Sequence, residues 1–166
     1  MTSSSPRIDI SGDESQILCT QEDAISWFSA LNEEFGVTVS GLGGSSFTIN
    51  FVTKADIQNM NKTFAGKNKP TNVLSFPAHK DFSEDKFLGD IAICSELIIE
   101  EAASQGKDTK HHLIHIFIHA VLHLLGFDHE EQSSAERMES IEVNILKKIG
   151  VADPVSYTHL TLPTKA

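Results

Sequence analysis

Three observations predict a single α/β domain of α+β type, a small mixed sheet covered by helices around a central histidine-bearing helix. Short alternating runs interleave with longer runs of helical period. The most apolar helical run, KHHLIHIFIHAVLHLLG at 110–126, carries histidine at almost every polar position. The 166 residues are 40% hydrophobic and 22% charged, with ten Phe but one Trp and one Tyr, which suits one core rather than two.

In chain order, RIDIS at 7–11 is a short alternating strand. TQEDAISWFSALNEEFG at 20–36 follows as a helix, with Thr20 as N-cap, Asp23 at capping-box distance and Gly36 as the stop. Its apolar face is Ile25, Phe28, Leu31 and Phe35. GLGG at 41–44 is a turn, and SFTINFVT at 46–53 is a strand with Phe47, Ile49 and Phe51 on one side. KADIQNMNKTF at 54–64 is a short helix that places Ile57, Met60 and Phe64 together. NVLSFP at 72–77 and LGDIAIC at 88–94 are strands, separated by the polar loop AHKDFSEDKF. Ser95 caps a helix that ends at Gly106, and the histidine helix comes next. SSAERMESIEVNILKKIG at 133–150 closes the domain as an amphipathic helix with Met138, Ile141, Ile145 and Ile149 inward.

Thirteen basic against 23 acidic residues leave a net charge of −10, which excludes a protein coated in nucleic-acid-binding surface. Locally the balance reverses. NKTFAGKNKPTNVLSFP at 61–77 holds Lys62, Lys67 and Lys69 and no acid, so this segment is either an anion site or a solvated loop. The first residues, MTSSSPRIDISGDES, lack a basic region followed by an apolar one, and no later run is apolar enough to span a bilayer. The expected location is the cytoplasm, with no membrane partner and no DNA. Cys19 and Cys94 fit no metal or disulfide spacing and are expected as buried thiols. PVSYTHLTLPTKA at 154–166 has neither strand nor helix period and resembles the translation of a transposon-type sequencing adaptor. The domain is therefore expected to occupy 1–153, followed by a non-native tail whose His159 belongs to no site.

HAVLHLLGFDH at 119–129 concentrates the chemistry. Residues four apart on a helix lie one turn up on the same face, so His119 and His123 can aim both imidazoles at one point. Gly126 can then take a conformation that ends the helix, and Phe127 and Asp128 return His129 to that point. Three imidazoles around one ion leave a fourth position open, as in a catalytic rather than a structural zinc site. Nickel, copper or iron would also accept such donors. His111, His112 and His115 read as core or boundary residues, with His115, one turn before His119, also able to support or compete with the ligands. The spacing H-x-x-x-H-x-x-G-x-x-H matches the metzincin proteases, yet their catalytic Glu directly after the first histidine is Ala120 here, so peptide hydrolysis lacks its base.

HAVLHLLGFDH resembles the signature H-G-x-L-H-L-x-G-Y-D-H of the YbeY family of metal-dependent endoribonucleases that act in rRNA maturation. KPTNVLSFP at 69–77 and GDIAIC at 89–94 resemble that family's two other recurring segments, in the expected order. The resemblance implies a zincin-like domain with one Zn2+ on His119, His123 and His129. It also implies cleavage of single-stranded RNA, with an rRNA precursor and the small ribosomal subunit as partners in ribosome maturation and quality control. Within that picture Lys67 and Lys69 are candidates for the RNA backbone, and Asp128 is a candidate for proton transfer or ligand orientation, or else a turn cap. The chain departs from the family in having Phe64-Ala65 where Tyr-Arg is usual, Asn68 for a usual Asp and Ala120 for a usual Gly. Ala65 cannot offer a guanidinium to a phosphate. That loss motivates an alternative, a ribosome-associated RNA-binding protein with a structural metal and weakened catalysis.

Overall fold

The computed structural model describes residues 6–34, 45–78, 87–126 and 132–150. Along the chain run β1 (Arg7–Ser11), α1 (Gln21–Glu34), β2 (Ser46–Val52), α2 (Lys54–Ala65), β3 (Val73–Pro77), β4 (Phe87–Cys94), α3 (Ser95–Gln105), α4 (Thr109–Leu124) and α5 (Gln132–Ile149). These are the strands and helices expected from the sequence. The strands form one mixed sheet in the order β1-β2-β4-β3. β1, β2 and β4 are parallel, with Ile10 opposite Ile49 and Ile49 opposite Ile91, while β3 runs antiparallel along β4 with Ser75 opposite Ile91. Among the described residues β3 is therefore an edge strand.

The sheet is covered unequally. On one face Phe47, Ile49, Phe51, Val73, Ile91 and Ile93 meet Trp27, Phe28 and Leu31 of α1, the apolar side of α4, and Met138, Ile141, Ile145 and Leu146 of α5. Phe117 of α4 sits at the centre, its ring 5.3 Å from Trp27 and 6.0 Å from Phe47. These aromatics bury much of the area that stabilises the domain. On the other face Ile57 of α2 closes a smaller cluster with Leu74, Ala92 and Cys94. The histidine helix α4 is central, as the composition of 110–126 demands, because a helix apolar on most of its circumference must be buried.

Local chemistry explains the boundaries. Thr20 and Asp23 form the expected reciprocal capping box, with Asp23 N–H bonded to Thr20 Oγ1 at 3.0 Å and Thr20 N–H to Asp23 Oδ2 at 3.1 Å. Ser95 does not cap α3. It is the first residue inside that helix, is buried, and donates its hydroxyl to the carbonyl of Gln16, while Cys94 precedes the helix without a side-chain cap bond. The hydroxyl satisfies a loop carbonyl that burial would otherwise orphan. Phe64 also departs from expectation: Ile57 is fully buried, but Phe64 on the last turn of α2 is 68% exposed. Cys19 and Cys94 are free and buried, and burial pushes the Cys19 thiol up to about 12. No described helix is long and apolar enough to cross a membrane. Phe35, Gly36, the GLGG turn, residues 79–86 of the polar loop, 127–131 and the tail at 154–166 lie outside the described residues.

Candidate metal centre

α4 is fastened at both ends. Asp108 accepts hydrogen bonds from the N–H groups of Lys110 and His111 at 2.8 and 3.2 Å. At the other end Gly126 takes a φ of 104° and its N–H bonds to His123 O at 3.1 Å, so the helix ends where the sequence placed the turn. Gly89 of the GDIAIC segment lets this end lie on the sheet. Its φ is 139°, and a Cβ there would stand 2.3 Å from Phe76 O and 2.9 Å from Leu124 Cδ2. Ser75 of β3 adds a hydroxyl bond to Ala120 O at 3.2 Å. Two of the three recurring segments thus hold the third in place.

His119 and His123 share one face, their ring centroids 4.8 Å apart and their planes at 75°. The third participant comes from α5. Glu142, buried at 6% exposure, accepts a hydrogen bond from His119 Nδ1 at 2.7 Å through Oε2, and its Oε1 lies 3.4 Å from His115 Nε2. Burial pushes this carboxyl up, but the hydrogen bonds from His115 and His119 outweigh that and bring it down to about 2. An ionised carboxylate only accepts, so His119 donates to it from Nδ1, and Nε2 is the ring nitrogen that a metal would take. Nε2 of His119 and of His123 are both buried. This is the arrangement by which a carboxylate orients an imidazole toward a metal, and the donor set fits one.

The expected third ligand, His129, and the candidate Asp128 lie outside the described residues. Among the described residues no three His, Cys, Asp or Glu side chains converge on a metal position. Ala120 is 1% exposed, so the position of the missing protease Glu is a packed helix surface rather than an open cleft.

Lys67 and Lys69 are exposed, in the loop between α2 and β3. The structure does not bring them into contact with the histidines; it connects them through β3, which they precede. Gly66, at φ 73°, ends α2 in a left-handed turn, and buried Asn61 braces the loop by donating its side-chain amide to Lys69 O at 2.9 Å. Ala65 is the exposed last residue of α2.

Sequence reasoning missed Glu142 and Asn61. The signal for Glu142 was an acid set among Met138, Ile145 and Ile149, at the spacing that belongs to the apolar stripe. His112, expected in the core, is there at 2% exposure, with Nε2 at 2.8 Å from Glu101 Oε1, which also accepts from Asn72 Nδ2 at 3.0 Å. Burial lowers the pKa of His112, against the hydrogen bond to Glu101. His115 is a boundary residue, half-buried, and it shares Glu142 with His119, in line with the supporting position read from its place one turn before His119.

Comparison with known proteins agrees with this architecture. Residues 9–150 match the family model described as endoribonuclease YbeY. An endoribonuclease YbeY from Chromohalobacter salexigens is 39% identical over 140 residues, 84% of this chain and 88% of that protein. One from Vesicomyosocius okutanii is 42% identical over 115 residues, 69% of this chain and 79% of its own length. A Thermotoga maritima protein solved in solution shares the fold, with a TM-score of 0.54 at 23% identity over 86% of this chain and 91% of that one. The chain belongs to the endoribonuclease YbeY family.

Proposed function

We propose that the protein is a zinc-dependent endoribonuclease that cleaves single-stranded RNA during rRNA maturation and ribosome quality control, in the cytoplasm and in association with the small ribosomal subunit. The proposed ligands are His119, His123 and His129. The observation that carries the reading is the bond from His119 Nδ1 to buried Glu142, on an imidazole whose ring lies 4.8 Å from that of His123. Zinc at such a site supplies Lewis acidity, polarising a phosphoryl oxygen and acidifying water.

The chain's own residues have separate tasks. Glu142 is committed to two imidazoles and orients rather than exchanges protons with substrate. Lys67 and Lys69 hold phosphates without reading sequence, and Asp128 is the proposed group for proton transfer. Ala65 is exposed, so an arginine fits there without displacing core.

The test combines metal analysis of the purified protein with cleavage of single-stranded RNA before and after chelation. Cleavage that survives chelation, or survives loss of both His119 and His123, removes the metal-dependent reading. Ala65→Arg separates enzyme from binding protein: a single-turnover rate raised by roughly 10- to 100-fold, at little change in RNA affinity, supports catalysis at this site. A metal-loaded protein that binds RNA but cleaves it neither before nor after that change is the alternative, a ribosome-associated binding protein.

A further inference from the structure

Phe64 and Ile99 are the two exposed large hydrophobic side chains among the described residues, and Phe64 is the more exposed, at 68%. It is not loosely displayed. Its ring meets the half-buried ring of Phe76 on β3 edge to face, with centroids 5.3 Å apart and planes at 71°. Phe76 packs with the Ile57, Leu74, Ala92 and Cys94 cluster, so the outer ring rests on a fixed inner one. The lysine loop is bound to the same turn: Gly66 N–H bonds to Lys62 O at 3.2 Å, Lys67 N–H to Asn61 O at 3.2 Å, and Gln58 Nε2 to Asn68 Oδ1 at 3.0 Å. An exposed aromatic face and the exposed Lys67 and Lys69 therefore belong to one braced element, in a chain of net charge −10.

We infer that Phe64, supported by Phe76, is a stacking platform for an unpaired RNA base, with Lys67 and Lys69 on the adjoining phosphates. The inference rests on the reading of the chain as an RNA-cleaving enzyme and names how it holds its strand. A single ring flanked by cations is too small an apolar surface for a protein partner but matches one nucleobase, whose π-face stacks regardless of sequence. A paired base in a duplex has its faces covered, so the platform selects single strands. The cross-strand acid opposite Phe76, Asp90, is drawn toward β2 by the hydroxyl of Thr48, which bonds it at 2.6 Å on the side away from the edge strand. The other side of β3 reaches α4 through Ser75, so one edge strand connects the platform with the metal helix.

The test uses the full chain and a short single-stranded 2′-O-methyl oligoribonucleotide, with an abasic strand of equal length as control. Phe64→Ala weakens binding roughly 5- to 150-fold with an unchanged salt dependence. Phe64→Leu, which keeps apolar contact with Phe76 but has no π-face, is equally weak. Phe64→Trp restores binding, and its exposed indole is quenched by the oligonucleotide but not by the abasic strand, while Trp27 is too buried to respond. Lys67→Gln combined with Lys69→Gln lowers the salt slope by about 1.4. Wild-type affinity in Phe64→Ala, or equal affinity for the abasic strand, overturns the platform. Failure of the metal-loaded wild type to cleave unmodified single-stranded RNA is a separate result that removes the nuclease reading and leaves the stacking measurement intact.

Discussion

One helix carries two imidazole–carboxylate pairs of nearly equal length and opposite orientation. His119 meets Glu142 at 2.7 Å through Nδ1, and His112 meets Glu101 at 2.8 Å through Nε2. In the first pair the carboxylate takes the nitrogen nearer the backbone, the distal nitrogen is buried, and the ring lies 4.8 Å from that of His123. In the second the carboxylate takes the distal nitrogen, and Nδ1 is buried. The two pairs differ in the ring nitrogen that the carboxylate takes, and the proposed division into a ligand and a structural histidine follows that difference. The second pair ties Asn72, the residue before β3, to α3 and α4, so it locates the edge strand, while the first pair joins α4 to α5 at the proposed metal site.

That contrast can be broken at either pair. The largest effect is expected for His119→Ala combined with His123→Ala, which takes bound metal and RNA cleavage to background, whereas His112→Ala retains both. Equal metal loss from the two changes would erase the distinction. Glu142→Gln comes next: removing the oriented acceptor weakens metal binding about 10- to 100-fold, measured by competition with a chelating dye. Unchanged affinity would mean that Glu142 is only core. His112→Ala leaves Glu101 Oε1 with the Asn72 amide but without its imidazole partner and costs about 1–3 kcal/mol of folding stability, at about 2–4 °C of melting temperature for each kcal/mol.

A pH series sharpens the same comparison with a smaller effect. The folded-state pKa of His112 lies below its ordinary value of 6.5, because burial disfavours the imidazolium despite Glu101, with Lys107 and His115 also near. The unfolded chain binds this proton first, so the stability contribution is complete above 6.5 and falls as pH drops through that value toward the folded pKa. In urea denaturation, His112→Gln should lose this part of the pH slope. A slope unchanged from wild type would assign it to other histidines. The smallest effect is expected at the end of the chain: truncation after Asp153 should leave melting temperature and metal content as they are, and a loss of several degrees would place 154–166 in the fold.

Periodicity, caps and glycines determined the element order, because each acts within a few residues: the Thr20–Asp23 box, the reversal at Gly126 and the alternation of Phe47, Ile49 and Phe51 were all readable locally. The i, i+4 spacing of His119 and His123 was equally local, and with Gly126 and His129 it marked one face of α4 as chemical. Phe64 misled because helical period assigns a face but not how much of that face is covered; the last aromatic of α2 meets Phe76 edge to face and is otherwise exposed. Ser95 misled because a hydroxyl at a helix start can serve either the helix or a loop from elsewhere, and Gln16 decided it. Which nitrogen each histidine offers, and which carboxylate holds it, depended on Glu101 and Glu142 arriving from α3 and α5. Those contacts join residues 11 and 23 positions apart, and only the packing of three helices brings them together.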